Sequence, residues 1–83
     1  MALKTRKLEL GDRNLVGRRV TQARQNQNMK QHELLARLQV AGIEISSPAL
    51  SLLEGQKRPV SDKELLALSN ILGVSVDWLL GSE

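Results

Sequence analysis

Apolar residues recur at the spacing of an α-helix in several stretches of this chain, and polar or glycine-containing breaks separate the stretches. In the first half, this pattern predicts helices over about 15–26 and about 30–39. The positions expected to face inward in these two helices are Val16, Val20, Ala23, Leu34, Leu35 and Leu38, with Val40 nearby. Asn14 is a suitable N-cap for the first helix, and Met29 is expected to point back into the core.

A turn over 41–45 separates the second helix from a third, predicted over about 47–55. Gly42 can adopt a positive φ at little cost, which suits a turn, and Ile43 and Ile45 are expected to anchor it inward. Ser46 or Ser47 caps the third helix, and Pro48 lies in its first turn, where a missing N–H costs nothing. The inward positions of this helix are Ala49, Leu50 and Leu53, and Gly55 ends it.

Two more helices are marked by local start and stop signals. The S-x-x-E sequence that begins at Ser61 is a capping box, and Gly73 ends the helix that follows it. Ser75 caps a last short helix, Val76–Leu80. Leu65, Leu68, Ile71 and Leu72 are expected inside the fourth helix, and Trp78 and Leu79 belong to the fifth. The sequence therefore predicts an all-α fold, a compact five-helix bundle in one domain over 14–81.

The first 13 residues lack helical periodicity and are interpreted as a flexible basic arm. Within them, residues 7–10 alternate like a short edge strand, and Gly11 breaks the pattern. Residues 1–30 carry eight basic and two acidic residues, net +6, whereas residues 31–83 carry four basic and seven acidic, net −3. A basic first third suits either a polyanionic partner or a solvated surface that aids solubility.

Composition excludes several classes of function. Trp78 is the only aromatic residue, which weighs against a stacking platform for single-stranded nucleic acid. With no cysteine and one histidine, neither disulfides nor a thiolate or zinc site is expected, and no cofactor is implied. No apolar run approaches the roughly 20 residues of a membrane span, and no signal-peptide core is present, so we expect a cytoplasmic protein. No nucleophile–base pair or glycine-rich phosphate loop suggests an enzyme, because capping explains Asp62, Glu64 and Asp77.

The second and third helices form the most informative part of the chain. Two helices joined by a turn, the second opening on small polar residues, present a helix end to the major groove of DNA. Lys57 and Arg58 follow the third helix and are expected to meet the phosphate backbone. Arg6, Lys7, Arg18 and Arg19 are secondary candidates for contact with DNA, and His32 is expected to be a solvated helix residue.

Several short motifs occur here in an order that resembles the Cro and phage-repressor type of helix-turn-helix domain, the XRE family. The resemblance covers about Asn14 to Gly81. Its matching residues are Gly17, Val20, Arg24, Met29-Lys30-Gln31, Glu33-Leu34, Leu50-Ser51, Glu54, Lys57-Arg58-Pro59 and the stretch from Ile71 to Leu80. The resemblance implies a lambda-repressor-like bundle that binds double-stranded DNA.

The resemblance also implies roles for individual residues. Arg24 and Glu54 match an ion pair that ties the first helix to the end of the third. Gln31 matches a residue that touches the DNA backbone, and Lys30 precedes it at the start of the second helix. The positions that match the family's DNA-facing residues on the third helix are Ser46, Ser47, Pro48, Ser51 and Leu52.

Three features depart from that family. Serine, proline and leucine on the third helix cannot make the bidentate contacts by which Gln, Arg or Asn discriminate bases. The turn between helices 2 and 3 is about five residues longer than the family's short Gly-Val-Ser turn, which makes the turn itself a candidate for contact with DNA. Glu44 on this turn would repel phosphate unless it points away or accepts a hydrogen bond from cytosine. Leu35 stands where the family prefers Ala, which bears on the angle between the two helices.

The leading hypothesis is a sequence-specific transcriptional regulator that acts as a small repressor by occupying its site. A domain of this size needs a two-fold dimer to bind tightly, and the Val76–Leu80 segment or the N-terminal arm is the expected dimer surface. The alternative hypothesis is a protein-interaction module on the same scaffold, such as the antitoxin of a toxin–antitoxin pair, because Pro48 and Leu52 suit a protein groove as well.

Overall fold

The computed structural model describes residues 12–82 and contains five α-helices in that range. They are α1 (Gly17–Asn26), α2 (Gln31–Val40), α3 (Ser47–Glu54), α4 (Asp62–Leu72) and α5 (Val76–Leu80). The described residues include no β-strand, so the predicted all-α fold is confirmed. The predicted arm and edge strand fall almost wholly on residues 1–11, which lie outside the described part of the chain. None of the described helices is long and apolar enough to cross a membrane.

The first helix begins two residues later than predicted, and its N-cap residue is Val16; the predicted Asn14 binds the N–H groups at its start from two residues further upstream. The side chain of Asn14 accepts hydrogen bonds from the backbone N–H groups of Val16 at 3.0 Å and Gly17 at 2.8 Å. Its amide nitrogen donates to the carbonyls of Leu53 and Arg58, so the same side chain joins the start of α1 to the end of α3. Asn14 therefore both binds the start of a helix and fixes a tertiary contact.

Serine caps begin the three later helices, as their sequence signals predicted. Ser46, Ser61 and Ser75 each accept a hydrogen bond from the backbone N–H three residues further on, at 3.3, 3.1 and 2.9 Å. Gly73 ends α4 with φ of 69°, in the left-handed region that favours glycine. These signals are local, and the bounds of α4 and α5 follow from them directly.

The core lies where α1 meets α3, α4 and α5, and α2 closes it by packing against α3 and α4. Its members are Val16, Val20, Ala23, Met29, Leu34, Leu38, Ile45, Leu50, Leu53, Leu68, Leu72 and Leu79. Leu35, Ile43, Ala49, Leu65, Ile71 and Trp78 pack against this cluster while partly exposed. Almost every position expected to face inward is therefore buried or half-buried.

Val40 is the exception, and the expectation that it lies near the inner stripe is wrong. Its side chain is 90% exposed. Val40 follows the buried Leu38 by two residues, which is about 200° around a helix, so it faces away from the core. Proximity in the sequence to an apolar stripe was a poor guide at the end of this helix.

The approach of α1 to α3 is close enough to require a glycine. A Cβ atom on Gly17 would lie 2.3 Å from the carbonyl oxygen of Leu53 and 2.8 Å from that of Glu54. Both atoms belong to the backbone, so no side-chain movement relieves the clash. Gly17 thus fixes the distance between the first helix and the C-terminal end of α3.

Candidate nucleic-acid interface

Helix α3 has an inner and an outer face of opposite character. Leu50 and Leu53 are fully buried on the inner face. The outer face consists of exposed residues only: Ser47, Pro48, Ser51 and Leu52, with the cap Ser46 beside them. The structure therefore brings the five predicted DNA-facing positions onto one surface, which we call the outer face of α3. Leu52 is 45% exposed there.

An ion pair ties the end of α3 to the first helix. Arg24 Nε donates to Glu54 Oε2 at 2.9 Å, and Arg24 Nη2 donates to Glu54 Oε1 at 3.1 Å. The two side chains are only 12% and 7% exposed. Arg24 Nη1 also donates to the carbonyl of Met29 at 2.9 Å, so the guanidinium joins α1, the α1–α2 turn and α3. Such a bidentate, nearly buried pair is held in a single geometry.

The same carboxylate positions the start of α2. Gln31 Nε2 donates to Glu54 Oε1 at 3.1 Å, and the hydroxyl of Ser51 donates to Gln31 Oε1 at 3.1 Å. A continuous chain of polar contacts therefore runs from Arg24 through Glu54 and Gln31 to Ser51. It fixes the N-terminus of α2 against the outer face of α3, which sets the angle between the two helices.

Two exposed lysines, one at the start of α2 and one after α3, are unpaired within residues 12–82. Lys30 is the exposed N-cap of α2; its backbone N–H donates to the side chain of Glu33. Lys57 follows α3 and is exposed. Within residues 12–82, neither ammonium group has a hydrogen-bond or ion-pair partner. A helix N-terminus and two free ammonium groups are a favourable environment for a phosphate.

Arg58, the other predicted phosphate ligand after α3, has an ion-pair partner that the sequence pattern did not predict. Nη1 and Nη2 donate to the two carboxylate oxygens of Glu64 at 3.3 and 3.1 Å. Glu64 is buried as well as capping α4, and its carboxylate also accepts from the N–H of Ser61 at 2.9 Å. A buried carboxylate needs a compensating charge, and Arg58 is the cation within reach. Arg58 therefore stabilises the folded domain by compensating the charge of Glu64 on α4.

The environment of Glu64 favours its charged form. Burial by itself raises the pKa of Glu64, but the N–H of Ser61 and the guanidinium of Arg58 outweigh it and lower the pKa below its ordinary value. The sequence signal for Glu64 was the capping box. It held no indication of the second partner, because an arginine six residues away is as often solvated.

The long turn between α2 and α3 is anchored at several points. Gly42 adopts φ of 90°, Ile43 is half-buried and Ile45 is buried, as expected. Gln39 Nε2 donates to the carbonyl of Ile45 at 3.2 Å, which ties the turn to the end of α2. Glu44 lies between the two anchored isoleucines and is exposed.

The predicted dimer segment is mostly occupied by contacts within the domain. The guanidinium of Arg19 lies 4.8 Å from the centre of the Trp78 ring, and its Nη1 donates to the Trp78 carbonyl at 2.9 Å. Leu79 is buried and Leu80 is 37% exposed. Arg19, a secondary candidate for DNA contact, is thus committed to α5. Arg18 and His32 are exposed, and Arg6 and Lys7 lie outside the described residues.

Comparisons with protein-family models, curated proteins and solved structures gave no match to this chain. The resemblance to the Cro and phage-repressor type of domain therefore stays a prediction. The site consists of the exposed, hydroxyl-rich outer face of α3 and the Gln31 amide that is fixed beside it. Lys30 and Lys57, at the start of α2 and after α3, are free within residues 12–82.

Proposed function

We propose that this protein is a sequence-specific, double-stranded DNA-binding transcriptional regulator of the helix-turn-helix class. The observation that carries the proposal is the hydrogen bond of 3.1 Å from the hydroxyl of Ser51 to Gln31 Oε1. The same Gln31 side chain is positioned by its hydrogen bond to Glu54. The bond between Ser51 and Gln31 joins the N-terminus of α2 and the outer face of α3 in one preformed surface. Binding to a DNA duplex requires the two helices to be held together in this way, because the end of one helix meets the phosphate backbone while the other helix enters the major groove.

Charge supports the same assignment. Lys30 lies at the start of α2 beside Gln31, Lys57 follows the end of α3, and both are exposed with no partner within the described residues. Phosphate contacts supply affinity and register, and serine hydroxyls with a leucine side chain supply single hydrogen bonds and apolar contact with a thymine methyl. The mechanism is occupancy: bound protein blocks another factor, without catalysis or cofactor. The proposal places the protein in the cytoplasm, where it would meet chromosomal DNA.

A domain of this size buries limited surface on DNA, so the proposal includes a homodimer that contacts two half-sites about one helical turn apart. Leu80 and the exposed Leu15 line a shallow groove together with Val60 and Leu65. Arg13 and Asn14 also line this groove, and a partner protomer would cover its apolar part.

A salt titration tests the DNA-binding proposal. Fluorescence anisotropy of a labelled duplex of random sequence is measured at about 50 to 200 mM salt. For a phosphate-binding protein, the logarithm of the binding constant falls linearly with the logarithm of the salt concentration, with a slope of about −0.9 per contacted phosphate. Absence of any detectable binding at about 50 mM salt would refute the proposal.

A second candidate function is supported by a different surface. Val40 is 90% exposed and lies beside Ala36, Arg37 and Ile71 in an apolar depression between α2 and α4. An exposed apolar patch of this kind suits a protein partner, as an antitoxin would require. Because the depression is formed by α2 and α4, protein binding there is compatible with DNA binding on the outer face of α3.

A further inference from the structure

We propose that Glu44 reads a base: its carboxylate accepts a hydrogen bond from the N4 amino group of a cytosine in the major groove. This inference rests on the DNA-binding function proposed above. It assigns base discrimination to the long turn between α2 and α3, and not to α3 alone.

Helix α3 by itself offers little means of discriminating between bases. Its outer face offers hydroxyl groups, a proline and a leucine, none of which makes a bidentate contact to a base edge. The nearby amide of Gln31 is already used on both sides, since it donates to Glu54 and accepts from Ser51. A sequence-specific regulator built on this surface needs another discriminating group close to the helix N-terminus.

Glu44 lies close to the start of α3. It lies two residues before Ser46, the N-cap of α3, and the N-terminal part of a recognition helix is the part that approaches base edges. Burial alternates along the turn, with Ile43 half-buried, Glu44 exposed and Ile45 buried. Glu44 is therefore the side chain that faces solvent between two isoleucines that pack against the domain.

The backbone beside Glu44 is held in place, although the side chain itself is exposed. The buried Ile45 side chain and the hydrogen bond from Gln39 to the Ile45 carbonyl, at 3.2 Å, fix the backbone directly after Glu44. Within residues 12–82, the Glu44 carboxylate has no hydrogen-bond or ion-pair partner. A carboxylate accepts hydrogen bonds only, and the donor that it recognises on a base edge is the cytosine amino group.

A purely repulsive carboxylate is the competing explanation, and it makes the opposite prediction. Glu44 next to a phosphate would weaken binding to every duplex equally, so its removal would strengthen binding to all of them. A base contact instead strengthens binding to one set of sequences. The two explanations differ in the sign of the effect on the preferred duplex.

The experiment compares the full chain with Glu44→Gln, Glu44→Ala and the control Asp62→Asn. Asp62 is exposed at the start of α4 and belongs to neither the proposed DNA-binding surface nor the proposed dimer surface, so Asp62→Asn changes only the net charge, as Glu44→Gln does. Each protein selects duplexes from a random pool, and anisotropy then gives its affinity for the wild-type site and for single base-pair variants at one salt concentration. Unfolding midpoints establish that all four proteins are folded.

The wild-type protein and Asp62→Asn are expected to select a cytosine at one position of each half-site. Glu44→Ala loses that preference, with a fall of about 5- to 150-fold in affinity for the selected site. Glu44→Gln changes the preference toward adenine, which glutamine contacts through N6 and N7. Replacing the cytosine in the DNA costs the wild-type protein a similar factor and costs Glu44→Ala nothing further.

Two results would overturn the inference while leaving the proposed function intact. One is a selected site that is the same for the wild-type protein and both Glu44 variants. The other is a uniform gain in affinity for all duplexes in Glu44→Ala. A wild-type protein that binds no duplex at about 50 mM salt would refute the proposed function itself, and this inference with it.

Discussion

The inner and outer faces of α3 differ in how strongly the rest of the domain constrains them. Leu50, Leu53 and Glu54 are enclosed by the core, by the backbone contact of Gly17 and by the Arg24 guanidinium. Among the described residues, 12–82, the outer face makes one hydrogen bond to another helix, from Ser51 to Gln31. Substitutions on the inner side should therefore change the free energy of unfolding, whereas those on the outer side should change binding and leave stability almost unaltered.

Arg24→Ala should produce the largest loss of stability. It leaves the Glu54 carboxylate nearly buried without its cation, which costs about 3–5 kcal/mol. Urea unfolding followed by circular dichroism measures the loss. Arg18→Ala is the matched control on the same helix, since Arg18 is exposed, and it should change stability by less than about 0.5 kcal/mol. Equal unfolding midpoints for the two variants would contradict a structural role for the pair.

Gly17→Ala should be next in size, at about 1–3 kcal/mol of destabilisation from overpacking. The added methyl group meets two backbone carbonyl oxygens, so α1 and α3 have to separate. Gly55→Ala serves as the comparison, because its nearest contact would be 3.3 Å and its φ is −82°. A Gly17→Ala protein as stable as the wild type would show that the two helices are not in close contact.

Glu64→Gln should reduce stability by about 1–2 kcal/mol at pH 7, because it weakens charge-assisted bonds with Arg58 and Ser61. The folded protein lowers the pKa of Glu64, so its contribution is fully present above the unfolded value of about 4.3 and is lost as pH falls through the folded value. The gap in stability between wild type and variant should therefore narrow below about pH 4. A gap that stays constant between pH 7 and pH 3 would rule out this linkage.

Lys57→Ala should change stability least, since the side chain is exposed and its ammonium is free within residues 12–82. Its effect is expected on DNA: weaker binding to all duplexes alike, with the salt slope reduced by about 0.9. Lys63→Ala, which removes an exposed lysine on α4, is the control for net charge. Loss of affinity for one sequence only would show that Lys57 contacts a base.

Local signals in the sequence predicted most of the fold. Ser61, Gly73 and Ser75 act within a few residues of themselves, and the helices that they delimit have the expected bounds. The start of α1 was less exact, because Asn14 binds its first N–H groups across an irregular turn. Val40 was placed wrongly because apolar character says nothing of direction at the end of a helix.

The candidate site was predictable only in part, because several of its contacts join distant residues. Periodicity predicted the buried face of α3, and the resemblance predicted both the residues of its outer face and the Arg24–Glu54 pair. The pairing of Arg58 with Glu64 and the stacking of Arg19 on Trp78 were not predicted, since a cation's partner is decided by the tertiary fold. For the same reason, two of the arginines that the sequence suggested as phosphate ligands, Arg19 and Arg58, are engaged in contacts within the folded domain.

The central claim is that the outer face of α3, with the start of α2, binds duplex DNA. The most direct test is an NMR titration of the isotope-labelled chain with a duplex of about 20 base pairs at about 50 mM salt, following backbone amide signals. The account predicts shifts concentrated at Lys30 and Gln31, over 44–52 and at Lys57. Shifts confined to α4 and α5, or none at all, would contradict it.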